Sequence, residues 1–225
     1  MSLQAKLSAF KAQFQSGKPP FEAVPPAVHA IMQRATDELV AANATARVLR
    51  SGTAPGFMLE DANGAMVRLA DLLARGAVVL SFYRGVWCPY CNLDLQELEL
   101  NVAAIRETGA TLVAVTPQTP ANSRRSIAQH TLSFPILSDP GNAIAERYGL
   151  RYRLPDYLID LYKQLGVSLP AFNADETWTL PIPARFVIDR RGQIRTAEAD
   201  PDYTHRPEPE GLLPLLRELK ETVAA

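Results

Sequence analysis

The chain has only two cysteines and three histidines in 225 residues, and its formal net charge is −1. Two cysteines are too few for the disulfide framework of a small secreted domain. A near-zero charge supplies no electrostatic reason to expect nucleic acid or an acidic membrane surface as a partner. The chain also lacks long apolar runs. No stretch of about 18 apolar residues occurs, and "MSLQAKLSAFKAQFQ" at the N-terminus has no continuous apolar region, so neither a membrane span nor a signal peptide is expected. With so few cysteines set so close together, the expected compartment is the reducing cytoplasm. No cofactor is expected.

What is present is an ordinary globular composition, 47% hydrophobic and 21% charged, in a chain long enough to bury a sizeable core without staples. Leu3, Leu7, Phe10 and Phe14 recur at helical spacing, "SGKPPFEAVPP" breaks the pattern, and Val28, Ile31, Met32, Ala35 and Leu39 mark a second helix. Residues 1–50 therefore read as a helical N-terminal extension, because each stripe needs a partner to cover it. "SGTAPGFMLEDANGAMVRLADLL" reads as two short strands about the turn at Asp61 to Gly64, followed by a short helical turn. "AVVLSFY", residues 77–83, is continuous, β-branched and aromatic, the signature of a buried strand. Past Pro89 the period changes to Leu95, Leu98, Val102 and Ile105, one helix face ending near Gly109.

"TLVAVT" and "FPILS" are further strands, each followed by a helix, with Thr119 and Asp139 as caps, Pro120 and Pro140 at first helical positions and Gly149 as a stop. This alternation predicts an α/β fold with a mainly parallel sheet flanked by helices. At about 151–180 an insert interrupts the rhythm: Tyr157, Leu158, Leu161, Tyr162 and Leu165 form an amphipathic helix that reads as core or as the surface of a homodimer. "ARFVIDRRGQIRTAE" reads as a hairpin, and the last helix tolerates Pro214 in its first turn.

Both cysteines lie in "GVWCPYCNLDLQELE", where the buried strand hands over to a helix. At i and i+3 in a first helical turn, Cys88 and Cys91 face one side, close enough for a disulfide without large backbone movement. Unpaired amides and the helix dipole favour a thiolate there, most strongly at Cys88. A zinc site needs two more ligands, and His29, His130 and His205 are far apart in sequence; no metal is expected. A pair of structural cysteines is the bland reading, and the Pro-separated spacing after a buried strand favours redox chemistry over it. Arg84 is placed to lower a thiol pKa or bind substrate charge, or else is a structural ion-pair residue. Trp87 reads as a packing cover for the dithiol. His130 and His205 read as surface residues, and Tyr203 and Arg206, in the loop "DYTHRPEPEG", as possible rim residues of the site.

From Gly52 to Ile194 the chain resembles the alkyl hydroperoxide reductase and thiol-specific antioxidant branch of the thioredoxin-fold superfamily. The resemblance is carried by "APGFMLEDANGAMVRLADL", "VVLSFYRG", "FPILSDPGNAIAERYGL" and "PARFVIDRRGQI" in that order. It implies a thioredoxin-like fold with a central mixed sheet flanked by helices over residues 51–225. In peroxiredoxins the active strand leads into Pro-x-x-x-Thr-x-x-Cys. Counted from "SFY", the peroxidatic position falls on Cys91, while Cys88 and Arg84 stand where the Thr and Pro would be. The family's helper arginine has Pro183 in its place here, with Arg185 nearby but not aligned. Trp87-Cys88 is similar to the thioredoxin motif and Cys-Pro-Tyr-Cys to the glutaredoxin dithiol; those folds set a cis-proline opposite the dithiol, a role that suits Pro183.

Two readings follow from this resemblance. In one, Cys91 attacks a hydroperoxide, Cys88 condenses with the resulting sulfenic acid, and thioredoxin, glutaredoxin or glutathione recycles the disulfide. In the other, Cys88 attacks a protein or glutathione mixed disulfide and Cys91 resolves it. Which sulfur attacks stays open at this level.

Overall fold

The computed structural model describes residues 1–21 and 24–224. Glu22 and Ala23, inside the break between the first two helices, lie outside the described residues. Among the described residues ten strands form: β1 (Gly52–Thr53), β2 (Met58–Asp61), β3 (Met66–Arg68), β4 (Val78–Phe82), β5 (Thr111–Thr116), β6 (Ile136–Ser138), β7 (Arg151–Arg153), β8 (Thr179–Pro181), β9 (Ala184–Ile188) and β10 (Gln193–Ala199). The helices are α1 (Leu3–Gln15), α2 (Pro26–Ala41), α3 (Leu69–Leu73), α4 (Pro89–Glu107), α5 (Pro120–His130), α6 (Ala143–Arg147), α7 (Asp156–Gln164), α8 (Leu169–Asn173) and α9 (Leu213–Ala224).

Eight strands make one sheet in the order β1-β10-β9-β4-β5-β6-β2-β3, while β7 and β8 pair separately. β4 is central, with every residue buried, as its unbroken apolar run demands. It runs parallel to β5 and antiparallel to β9. Parallel pairing is limited to β4/β5 and β5/β6, so the sheet is mixed and not mainly parallel. The expectation from strand–helix alternation fails after β6: the chain leaves the sheet through α6, β7, α7, α8 and β8 and re-enters at β9 from the opposite end.

Successive residues of β4 face opposite layers. Val79 joins one core with Leu3 and Leu7 of α1, Cys91, Leu95, Leu98 and Ile105 of α4, and Leu216 of α9. Val78, Leu80 and Phe82 join the other with Leu72, Tyr148 and Phe186. Fully burying Leu95 and Leu98 contributes roughly 1.5–3 kcal/mol apiece, which fixes the face of α4 that carries Cys91. A third cluster joins Val28 and Ala35 of α2 to Leu158, Ile159, Leu161 and Tyr162 of α7, so the amphipathic face of the insert is covered within the chain by the second helix.

Capping chemistry explains several boundaries. Thr119 accepts the Asn122 amide at the start of α5. Asp139 does not cap the short turn at Pro140; its carboxylate accepts the amides of Ile144 and Ala145, both at 2.9 Å, and so starts α6. Gly141, at φ 66°, breaks the turn between them. Gly149 stops α6 at φ 77°, and a Cβ there would lie 2.0 Å from the Arg47 carbonyl oxygen. Gly149→Ala is therefore expected to destabilise the protein by more than about 2 kcal/mol, through left-handed strain plus displacement of the Arg47 segment. A drop in the urea unfolding midpoint measures it.

Candidate functional site: a buried dithiol between two guanidinium groups

The segment joining β4 to α4 is held by a set of specific bonds. Tyr83 donates its amide to the Val115 carbonyl at 3.0 Å, extending the β4/β5 ladder by one residue. The Val86 amide donates to Gln118 Oε1 at 2.8 Å, and Gln118 Nε2 donates to the Tyr83 hydroxyl at 2.8 Å. Asn92 Nδ2 then closes the segment onto the Val86 carbonyl at 2.9 Å. Gly85 is required here: at φ 146° a Cβ would sit 2.6 Å from Trp87 Nε1. Cys88 is the N-cap of α4 and Pro89 its first residue, where a missing N–H costs nothing.

Both sulfurs are buried and reduced; Cys88 is 1% exposed and Cys91 is inaccessible. A hydrogen bond joins them. Burial alone raises the pKa of both. At Cys91 that effect is overcome by the hydrogen bond from Cys88, the guanidinium groups of Arg206 and Arg84, and the Arg84 amide, which together bring the thiol down to about 6. Cys88 is left on the other side of the shared proton, its pKa raised by burial and by the neighbouring sulfur. These directions favour the thiolate at Cys91. Arg84 and Arg206 lower both thiols; what separates the pair is the direction of their mutual hydrogen bond and the Arg84 amide, which acts on Cys91 alone.

Arg206 places Nη2 at 3.7 Å from Cys91 Sγ. It arrives on the loop after β10 and is held by its neighbours. Its amide donates to Gln4 Oε1 of α1 at 3.2 Å, Nη1 donates to the His205 carbonyl at 2.6 Å, and Nε lies 3.7 Å from Asp94 Oδ2. Asp94, one turn past Cys91 on α4, also accepts Arg185 Nη2 at 2.6 Å. Arg185 completes its pairing at the Pro207 carbonyl, 3.0 Å away. Arg185 thus acts on the sulfur only at second hand, through Asp94.

Arg84 is 2% exposed, donates to the Tyr162 hydroxyl, and lies over the rings of Tyr203 and Trp87 at 4.3 and 4.9 Å. Trp87 packs edge-on against Tyr162 with centroids 5.6 Å apart, consistent with a cover over the dithiol. An apolar cavity of about 170 Å³ abuts Cys88; among its walls are Phe10, Phe14 and Phe21, Arg84, Trp87 and Tyr162. Cys91 lies behind Cys88 and does not line it. A second cavity of about 370 Å³ lies on the Asp94, Arg185 and Arg206 side.

Pro183 lines that second cavity, and its peptide bond is trans. The cis-proline role does not apply: Ile182 continues the β8 pairing by donating to the Leu150 carbonyl at 2.8 Å, and the chain runs extended through Pro183 into β9. His130 bonds Gln96, and His205 pairs with Asp200 and Asp202; neither reaches a sulfur. Among the described residues no group of three His, Cys, Asp or Glu side chains is placed to hold a metal ion, and no helix is long and apolar enough to cross a membrane.

Sequence reasoning placed Arg206 only at the rim and missed Asp94 and Gln118. Buried polar positions on an otherwise apolar helix face are the signal that marks Asp94, one turn beyond Cys91.

Residues 51–197 match the AhpC/TSA family. The chain is 33% identical over 99 residues to the thiol-disulfide oxidoreductase ResA of Halalkalibacterium halodurans; the alignment covers 44% of this chain and 55% of that protein. The chain thus spans about half the length of this curated relative. Peroxidoxin BcpB from Mycobacterium tuberculosis superimposes with a TM-score of 0.59 at 18% identity, covering 79% of this chain and 99% of that one. Peroxiredoxin 6 of Arenicola marina, solved as a cysteine-to-serine mutant, gives 0.60 at 16% identity, covering 78% and 75%. These structures show that the mixed sheet and its flanking helices are the thioredoxin-like fold of peroxiredoxins.

Proposed function

This chain belongs to the AhpC/TSA family, and we propose that it is a peroxiredoxin-like thiol oxidoreductase in which Cys91 reduces small hydroperoxides and Cys88 resolves the product. The observation that carries this reading is the thiolate site at Cys91, with Arg206 Nη2 at 3.7 Å, the Arg84 amide and the Cys88 thiol all directed at one sulfur. The Cys91 thiolate attacks the distal oxygen of ROOH; the S–O bond forms, the O–O bond breaks, and ROH leaves with one proton taken up. Cys88 then displaces hydroxide from the sulfenic acid, which departs as water, leaving a Cys88–Cys91 disulfide. One hydroperoxide has become alcohol and water, and two thiols one disulfide. Arg206 and Arg84 supply the positive charge that the departing oxygen needs, in place of the family's Thr and helper Arg. A thioredoxin, glutaredoxin or glutathione system recycles the disulfide, and the compartment is the cytoplasm.

Burial of both sulfurs beneath an aromatic wall favours a small substrate over a protein disulfide. One observation favours the alternative: Cys88, not Cys91, lines the cavity. On that reading Cys88 attacks a small disulfide and Cys91 resolves it.

Anaerobic single-turnover kinetics separate the two. With a hydroperoxide, the second-order rate is expected to rise with pH through about 6, the value at Cys91, and to fall about tenfold per unit below it, because only the thiolate attacks. A faster reaction with a glutathione mixed disulfide, rising only at alkaline pH as Cys88 ionises, sinks the peroxidase reading.

A further inference from the structure

Three guanidinium groups are buried around the dithiol: Arg84, Arg185 and Arg206, at 2%, 1% and 8% exposure. Asp94 serves Arg185 and Arg206, and Glu198 and Asp200 line the cavity on their side. Arg84, in contrast, is paired by no carboxylate among the described residues; its near neighbours are tyrosines, a tryptophan and the sulfurs. A buried cation without a counter-ion is costly, and such groups are paired or take a ligand.

Arg84 also faces a cavity. Its Nε is a buried donor with no hydrogen-bond partner, and the residue lines the 170 Å³ space beside Cys88. The rest of that wall is apolar: Phe10 and Phe14 of α1, Phe21, Met32 of α2, and Leu165 and Val167 after α7. An apolar cavity of about 150 Å³ accommodates one benzene ring. Phe10, Phe14, Phe21 and Met32 come from outside residues 51–197, the part that matches the family.

We propose that this cavity is a binding site for a compact apolar carboxylate of about one aromatic ring in size, its carboxylate received by the Arg84 guanidinium and its body by Phe10, Phe14 and Phe21. The binding stands apart from the redox reading. Its consequence for chemistry rests on that reading: the carboxylate is carried either by the hydroperoxide itself or by a separate acid that occupies the site. On that reading, conversion of the thiolate to a disulfide removes a negative charge near Arg84, so the oxidised protein binds the acid more tightly than the reduced protein.

Titration of the full-length reduced and oxidised protein with 3-phenylpropionate, 3-phenylpropan-1-ol and acetate, followed by calorimetry, tests this. The acid is expected to bind at least about tenfold more tightly than the alcohol, a preference of the size assigned to hydrogen bonds with charged groups, and acetate, lacking the body, far more weakly. Arg84→Met removes the preference for acid over alcohol; Phe14→Ala weakens acid and alcohol alike. Equal affinities for acid and alcohol in the unaltered protein overturn the proposal without reliance on any variant, as does a preference that survives Arg84→Met. These titrations need no turnover, so their failure is distinct from failure of the peroxidase reading. Single-turnover rates with cumene hydroperoxide and its para-carboxylate separate the two sources: a faster reaction of the carboxylate assigns it to the oxidant, and equal rates with inhibition by 3-phenylpropionate assign it to a separate acid.

Discussion

Replacing Cys91 by Ser is expected to reduce the rate of hydroperoxide consumption by about 10³-fold or more, while Cys88→Ser leaves the first oxidation within about tenfold of the unaltered protein and abolishes sustained turnover. The asymmetry follows from where the negative charge sits. Cys91 is flanked by Arg206 at 3.7 Å, the Arg84 amide and the Cys88 thiol, and its pKa is lowered to about 6; a serine hydroxyl there stays protonated and does not attack. Cys88 contributes a hydrogen bond to that thiolate and a second sulfur for the disulfide. A serine at position 88 keeps the hydrogen bond and loses only the second role. Stopped-flow and steady-state rates on both variants check the two halves of this expectation separately.

Arg206→Met carries the second large effect. It removes the guanidinium that touches Cys91 yet leaves Asp94 paired with Arg185, so the buried carboxylate keeps a partner. The Cys91 pKa is then expected to rise from about 6 towards the ordinary range of a free thiol. At pH 7 the thiolate becomes a minority species and the rate with hydroperoxide falls by about tenfold or more; by pH 9 much of it returns. Thiolate absorbance at 240 nm, titrated against pH, reads this without reference to turnover. An unchanged titration contradicts the assignment of Arg206. Asp94→Ala is the contrasting variant: it strands two buried guanidinium groups and is expected to cost about 3–5 kcal/mol of stability, seen as a lower urea midpoint.

How much of this was legible in the sequence depends on the range of the interaction involved. β4 and α4 are local patterns, a β-branched apolar run and a 3.6-residue stripe through Leu95, Leu98, Val102 and Ile105, and both form as expected. The same is true of the Thr119 cap, the Gly149 stop and the β9/β10 hairpin. The separate ladder of β7 and β8 was not legible, since each strand is three residues long and 25 residues separate them. That excursion also reverses the direction in which β9 enters the sheet, which is why a mainly parallel arrangement was the wrong inference from alternation.

At the site, the dithiol and its position at the head of a helix could be read directly, because a tight Cys-x-x-Cys spacing is local. The identity of the charged sulfur could not. Helix-dipole reasoning favours Cys88, and the guanidinium that contacts Cys91 comes from far along the chain: Arg206 lies 115 residues away, set in place by Gln4 from the other end. Arg185 has the right residue type on a neighbouring strand, and strand pairing alone does not reveal that its guanidinium is directed to Asp94. Pro183 illustrates the opposite error, a residue of the right kind whose extended path into β9 leaves its bond trans.

The central claim is that Cys91 is the sulfur that meets the oxidant. It is tested most directly by treating reduced Cys88→Ser protein with one equivalent of hydroperoxide, trapping with dimedone and locating the adduct by peptide mass spectrometry. A dimedone adduct on Cys91 is the predicted result; an unmodified Cys91, together with an adduct on Cys88 in the Cys91→Ser protein, contradicts it.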